Sequence, residues 1–550
     1  MRTTVILGAA VLATLTATAQ GLPEAVKLTD REQYEKAASI FNAVIAADPQ
    51  NAEAWFLLGE NYFASDRSDS AAFCFNRGAS VNPRYPLNHV GVGKVLWTKG
   101  QAAEARVQFD KAVATATDKA NKFGKPLQAR TYREIAQAYA EGNQKDLVKS
   151  QEMIAKALEL DPKDPETYIL KGNVLFEANP RDGSAPLENY KQAAQLDALS
   201  AKPVSKKGFM YYRAKNYAAA IEEYTKAIGI DASYAPAYSG RAEAYFMARD
   251  FEKATADMNK YLELNAGNTS ARVRYAQFLF LVGKYNESLA EIKDLEGKGV
   301  KNVTLQRIKG YDQVELKDGA GAQATLEAYF AAQSPEKVIA GDWEYYGKAL
   351  AGQGQDSLAA ENMLKAARLD RTKDYNFVEA SKAFSKAKAF DKAIAAMQEK
   401  IAGGKPETND FYYLGDAALK GKRWMTADSA WATYIERNPS AYQGYKFRAR
   451  TQNGMDSLEA KTFAAKTWYE QMLAKMKPEE RDKYKADLEE ALNYMGLYFL
   501  YSKEARDLPK AKCYFEKVKA LNAGTSITKQ VTDVMLQTKE LKDVAPGSCD

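Results

Sequence analysis

The sequence predicts an all-α protein built as one solenoid of paired helices. Three observations lead there. Apolar residues recur at i, i+3, i+4 and i+7 along nearly the whole chain, the pattern returns with a period of about 34 residues, and Asp-Pro or Asn-Pro steps punctuate it. The 3.6-residue periodicity gathers each apolar set on one helix face. Proline cannot continue a helix and biases the residue before it away from helical backbone. Asp48-Pro49, Asn82-Pro83, Asp161-Pro162 and Asn438-Pro439 should therefore close helices. One helix pair cannot bury its own apolar face, so neighbouring pairs must stack. Such an array accommodates 550 residues without the several globular domains that this length usually implies.

The first 19 residues read as an export signal. Arg2 precedes an apolar run from Val5 to Leu15, and Ala17-Thr18-Ala19 supplies small residues for cleavage before Gln20. The run is too short to span a bilayer, and no later segment approaches the ~20 apolar residues of a membrane helix. No Cys follows the cleavage point, so a lipid anchor is not expected. The mature chain is expected to be soluble, in the periplasm or associated with the cell envelope. Residues 20–199 carry repeats with irregular joins, where Thr117 to Gln128 and Asn179 to Pro186 lengthen connections. Further along the chain, Gly297 to Asn302 and Gly403 to Thr408 are short, loose joins. Residues 200–441 hold the most regular repeats. In residues 442–550 the helices lengthen (Leu458 to Met476, Lys483 to Ser502), and Thr525 to Val544 is expected as a final polar capping helix.

The clearest repeat runs from Thr408 to Ala441, with Phe411, Leu414-Gly415, Ala418, Trp424, Ala427, Trp431 and Pro439. Trp55, Leu58-Gly59, Tyr62, Ala71, Phe75 and Pro83 follow the same order, as do Trp343, Tyr346-Gly347, Leu350, Ala359, Met363 and Ala366. These spacings resemble the W-x2-L-G-x2-Y, A-x3-F, P order of the tetratricopeptide repeat over nearly all of the mature chain. The resemblance implies a right-handed α-solenoid of about thirteen stacked helix-turn-helix repeats with a modified C-terminal end. Gly59 and Gly415 fall mid-helix, where Gly costs ~1 kcal/mol relative to Ala. They are expected to let the next helix approach, with Ala71 and Ala427 as the small residues opposite.

Several functions are poorly supplied. The formal charge of +6, from 77 basic and 71 acidic residues, is too dilute for a nucleic-acid partner. One His and three Cys cannot build a common zinc site, and no cofactor is expected. Cys74 and Cys513 fall in apolar helical patterns and are expected as buried thiols, whereas Cys549 lies in the polar tail. His89 occupies the position that holds Trp55, Tyr168, Tyr238 or Phe411 in other repeats and is expected to pack as a ring. No nucleophile, metal or phosphate motif stands in a credible setting, so the chain is not expected to be an enzyme.

Binding is better supplied. The resemblance implies a concave groove lined by the first helix of each repeat, and this maps a series of rings onto it: Phe56, Phe63, Trp97, Phe176, Phe209, Tyr212, Phe246, Phe280, Tyr311, Tyr345, Tyr412 and Tyr413. Arg130, Arg133, Lys202, Lys206 and Arg213 should project towards one stretch of it. Some members of the family clamp a peptide carboxylate with Lys, Asn and Arg on successive repeats. The corresponding residues here are Arg133 and Gln137, Leu170 and Asn173, then Lys202 and Lys206, with Leu170 in place of the middle Asn. The expected partner is a protein or peptide segment laid along the groove. The alternative is a glycan stacked on the rings, although glycan-capture proteins with such helices carry large insertions that this chain lacks. Asp69-Ser70-Ala71, Asp356-Ser357-Leu358, Asp428-Ser429-Ala430 and Asp456-Ser457-Leu458 are expected mainly as helix caps. The same triplet resembles an O-glycosylation signal of exported bacterial proteins.

Overall fold

The computed structural model describes residues 21–142, 144–456 and 461–549. Among them all regular secondary structure is helical, in successive pairs joined by short turns. The expected export signal and residues Ser457 and Leu458 lie outside the described residues. Two compact units meet at Lys301 and Asn302, within the loose join after Gly297. The first unit holds eight pairs, from residues 21–30 with Tyr34–Ala47 to Thr269–Leu281 with Tyr285–Gly297. The second holds six, from Val303–Glu315 with Gly319–Ala332 to Lys485–Tyr501 with Leu508–Leu521.

Local chemistry sets each pair. In most pairs the turn carries one residue in the left-handed region, such as Gly100 (φ 82°) or Lys215 (φ 59°). The second helix is then often capped by a side chain: Asn216 accepts from the Ala219 N–H and Asp250 from the Lys253 N–H. Between pairs, the residue before proline ends the helix and its side chain accepts from the backbone two residues on, as Asp48 does from Gln50 N–H at 3.1 Å. A ring six residues after the proline then clips this turn. Trp55 Nε1 donates to the Pro49 carbonyl at 3.1 Å, and the Tyr168 and Tyr445 hydroxyls donate to Pro162 and Pro439 at 3.1 and 3.0 Å. His89 does the same through Nε2–H to Pro83 at 3.0 Å, and burial lowers its pKa. His89 is thus the ring of its repeat, as expected.

The mid-helix glycines face rings, not alanines. Phe75 lies between Gly59 and Gly91, and a Cβ at either would overlap it. Gly415 meets Trp431 in the same way, and Gly172 meets Tyr190. This corrects the expectation that Ala71 and Ala427 stand opposite. Both alanines are buried, but the space vacated by the glycine is filled by the aromatic residue one helical turn further on.

The C-terminal end differs from the expectation in three ways. The helix expected from Leu458 to Met476 is confined to Lys466–Lys475 among the described residues. The capping helix stops at Asp533, because Met535, Leu536 and Leu541 are drawn into the apolar cluster of the second unit and the chain must turn to bury them. Cys513 is not a free thiol. It pairs with Cys549 across 36 residues, and Tyr514 Oη–H donates to the Cys549 carbonyl at 2.9 Å. Cys74 remains a buried thiol, its pKa pushed up to about 12 by burial.

Candidate functional site

The first unit contains a cavity of about 910 Å³. Its wall comes mainly from the first helices of five pairs (Ala52–Ala64, Lys125–Ala140, Pro165–Ala178, Ala201–Arg213 and Ala235–Met247), with Arg274, the N-terminal stretch between Val26 and Tyr34, and the rings of Phe41 and Tyr224 from second helices. That stretch closes the unit on itself. Asp30 Oδ1 accepts from Lys202 at 2.9 Å, Arg31 Nε donates to Asp231 at 2.8 Å, and Tyr261 Oη–H donates to Glu32 Oε2 at 2.7 Å. Asn268 Nδ2–H reaches the Glu32 carbonyl at 3.1 Å. The stacking rotation per pair has therefore brought the start of the unit against pairs roughly 200 residues later in sequence.

The wall is ionic, and most of its charges are spent on one another. Arg133 donates to Asp164 at 2.7 Å and to Glu134 at 2.9 Å, and Arg130 donates to Glu53 at 3.0 Å. Lys202 bridges Asp30 and Glu166, the latter at 2.8 Å. Burial opposes its charge, but the two carboxylates outweigh that and raise its pKa. The almost fully buried Lys94 lies 2.8 Å from Glu60 and 3.7 Å from Glu141. Pairs of this kind cost desolvation and hold only with good geometry.

Glu134 provides a test of this network. Burial alone would raise its pKa, but Arg133, Arg130 and Lys94 overcome burial and hold it down at about 2. A carboxylate depressed in the folded state stabilises above its ordinary value, and that contribution is lost as pH falls from about 4.5 towards 2. Glu134→Gln should lower stability at pH 7 and flatten the fall of unfolding free energy across that window, measured by denaturant titration from pH 2 to 7.

The structure gathers Phe56, Arg130, Arg133, Lys202, Lys206 and Phe209 on the cavity wall. Gln137, Leu170 and Asn173 join them, but the peptide clamp is not assembled. Arg133 and Lys202 are held in ion pairs, Gln137 donates to Glu141 at 2.8 Å, and Asn173 accepts from Tyr190 Oη–H at 2.9 Å. Phe56 and Trp97 are 1% and 4% exposed and pack as core, correcting the expectation that they present rings to a guest. Trp97 packs edge-on against Tyr139. Phe63 lies under the Lys94 ammonium, and Phe176 packs against Phe209 and beneath Arg213.

Tyr212, Phe246 and Phe280 each pack against the ring five residues on, across the turn of their own pair (Tyr217, Phe251 and Tyr285). In the second unit Tyr345 stacks on Tyr311 at 3.9 Å, and Tyr412 packs among Tyr413, Trp431 and Phe447. Sequence reasoning missed the carboxylates Asp30, Glu32, Glu134 and Glu243 on the cavity wall. Nothing in the sequence distinguishes these carboxylates from those of a solvated helix face.

Models of the tetratricopeptide repeat match residues 28–87 and 205–234. The C-terminal part of a tetratricopeptide-repeat protein from Cytophaga hutchinsonii is 30% identical. The match spans 47% of this chain and 99% of that one, with a TM-score of 0.41. A tetratricopeptide-repeat protein from Parabacteroides merdae is 19% identical over 46% of this chain and 98% of its own, with a TM-score of 0.36. Yeast Tom70 is 12% identical over 74% and 96%, with a TM-score of 0.35. No curated protein matches the sequence. The order of ring, glycine, alanine and proline, the paired helices it produces, and the identity to the Cytophaga protein together establish that this chain belongs to the tetratricopeptide-repeat family.

Proposed function

We propose that this protein is an exported scaffold whose first unit receives a peptide segment of a partner protein. The fold is one whose members generally act as protein-binding scaffolds and not as enzymes. The observation that carries the reading is the cavity of about 910 Å³ faced by first helices, a volume suited to a short segment more than to a long strand. Export is supported by the Cys513–Cys549 bridge, since such bonds persist in oxidising compartments, and by the apolar leader-like start. The glycan alternative has weaker support: the faces of Tyr311 and Tyr345 are stacked on each other, and Trp97 is buried.

A photo-crosslinking residue at Phe209 tests the reading, with controls at Phe73 and Val107, which are 65% and 63% exposed on second helices. The expected result is a discrete protein adduct from position 209 alone, formed in the cell envelope. Adducts only from the controls would contradict it, and a carbohydrate adduct from position 209 would favour the alternative.

A further inference from the structure

Three successive pairs of the first unit end their first helices in register. Arg213, Met247 and Leu281 stand one repeat apart as the last residues of Ala201–Arg213, Ala235–Met247 and Thr269–Leu281. The pairs also pack together at this end. Tyr212 shares an apolar cluster with Ala244, and Phe246 shares one with Val282. The three turns within these pairs therefore lie side by side along one edge.

Met247 and Leu281 are 44% and 56% exposed, and Phe251 keeps 50% of its surface open although it packs on Phe246. Single apolar residues are ordinary on a protein surface, but neighbours in register form a strip, and such strips mark contact surfaces. Cations stand among them. Arg213, Lys215 and Arg249 are exposed and, among the described residues, form no ion pair. Lys215 (φ 59°) and Arg249 (φ 63°) occupy the left-handed position that Gly283 holds in the next turn. Glycine is the residue this backbone favours, so turn geometry gives no reason for two long cations there. Asp250 and Glu287 are held by Lys253 at 2.7 Å and Lys284 at 3.3 Å, which leaves Glu252 as the unpaired carboxylate of the strip.

Apolar tips set among unpaired cations match an anionic bilayer surface. The apolar groups enter the headgroup layer, while Lys and Arg are drawn to the lipid phosphates. A dissolved polyanion would satisfy the cations but leave Met247, Phe251 and Leu281 in water. An apolar protein face would cover those three and leave the cations unmatched. We propose that this edge of the first unit docks on a membrane rich in anionic phospholipid, with Met247, Phe251 and Leu281 inserted and Arg213, Lys215 and Arg249 on the headgroups. None of these six residues lines the cavity, so the docking edge and the peptide cavity stand or fall separately.

The test is co-sedimentation with vesicles of phosphatidylglycerol and phosphatidylethanolamine in equal parts, against vesicles of phosphatidylcholine alone. The chain from Gln20 onward is used; it retains every described residue and omits the apolar start, which could bind lipid by itself. Binding should be at least about tenfold tighter to the anionic vesicles. Lys215→Gln with Arg249→Gln should remove most of that preference. Met247→Ser with Leu281→Ser should weaken binding to the anionic vesicles by at least about tenfold. All four side chains are exposed, and unchanged thermal melting of each variant checks that the fold is intact. No binding to either vesicle, equal binding to both, or binding that survives in both variants would overturn the proposal. A photo-crosslinking residue at position 247 that yields only protein adducts in the cell envelope would overturn it too, and would make this edge a protein interface.

Discussion

Replacing Trp431 by Ala is expected to cost about 3–5 kcal/mol of local stability in the second unit. The indole is fully buried and fills the space left by Gly415. It stacks on Phe447 at 4.8 Å and meets Tyr412 edge-on at 5.4 Å, so one residue joins its own first helix to that of the next pair. Truncation leaves a cavity between two pairs that each depend on a neighbour for burial. Hydrogen exchange in Thr408–Lys420 and Tyr442–Met455 should accelerate by at least about a hundredfold, with the first unit unaffected. Trp431→Phe should be far milder. It keeps the stacked ring, and the indole N–H that it removes has no hydrogen-bond partner among the described residues. Equal losses in the two variants would show that ring packing is not what holds the pairs together.

The second large effect is expected at the C-terminal end. The Cα atoms of Cys513 and Cys549 are 5.7 Å apart, within bridging range. Closing a loop of this length stabilises by about 2–4 kcal/mol, mainly by restricting the unfolded chain. The tail it fixes is otherwise held by few contacts, among them the Gly547 N–H on the Pro509 carbonyl at 2.9 Å. Cys549→Ser and Cys513→Ser should therefore lower the melting temperature of the second unit equally, and the double variant should cost no more than either single one. Additive losses would show that the two cysteines act independently.

The helices and their pairing were legible because their causes are local. Apolar periodicity, the Asp-Pro and Asn-Pro steps and the recurrent ring positions act within one or two turns of chain, and His89 could be assigned from its place in the order. The candidate site was legible only in part. Lys202 and Lys206 fall on one stretch of wall, yet nothing in the sequence distinguishes a lysine held by Asp30 and Glu166 from one that makes no ion pair. The groove aromatics misled where a ring had a partner nearby. The spacing of five residues in Tyr212–Tyr217, Phe246–Phe251 and Phe280–Tyr285 spans a turn, and read that way it signals packing within a pair. Closure of the first unit could not be read at all. Residues Asp30 to Glu32 meet residues 202 to 274, and their positions depend on small rotations accumulated over several pairs.

That closure is the central claim, because it makes a cavity of the surface along the first helices. It is tested most directly by electron–electron resonance distances between spin labels at the exposed positions Lys27 and Ala232, which flank the Arg31–Asp231 contact. A single narrow distribution at the short end of the measurable range is predicted, lost when Arg31 and Glu32 are both replaced by Ala. A long or broad distribution in the unaltered protein would contradict the closed first unit and the cavity built on it.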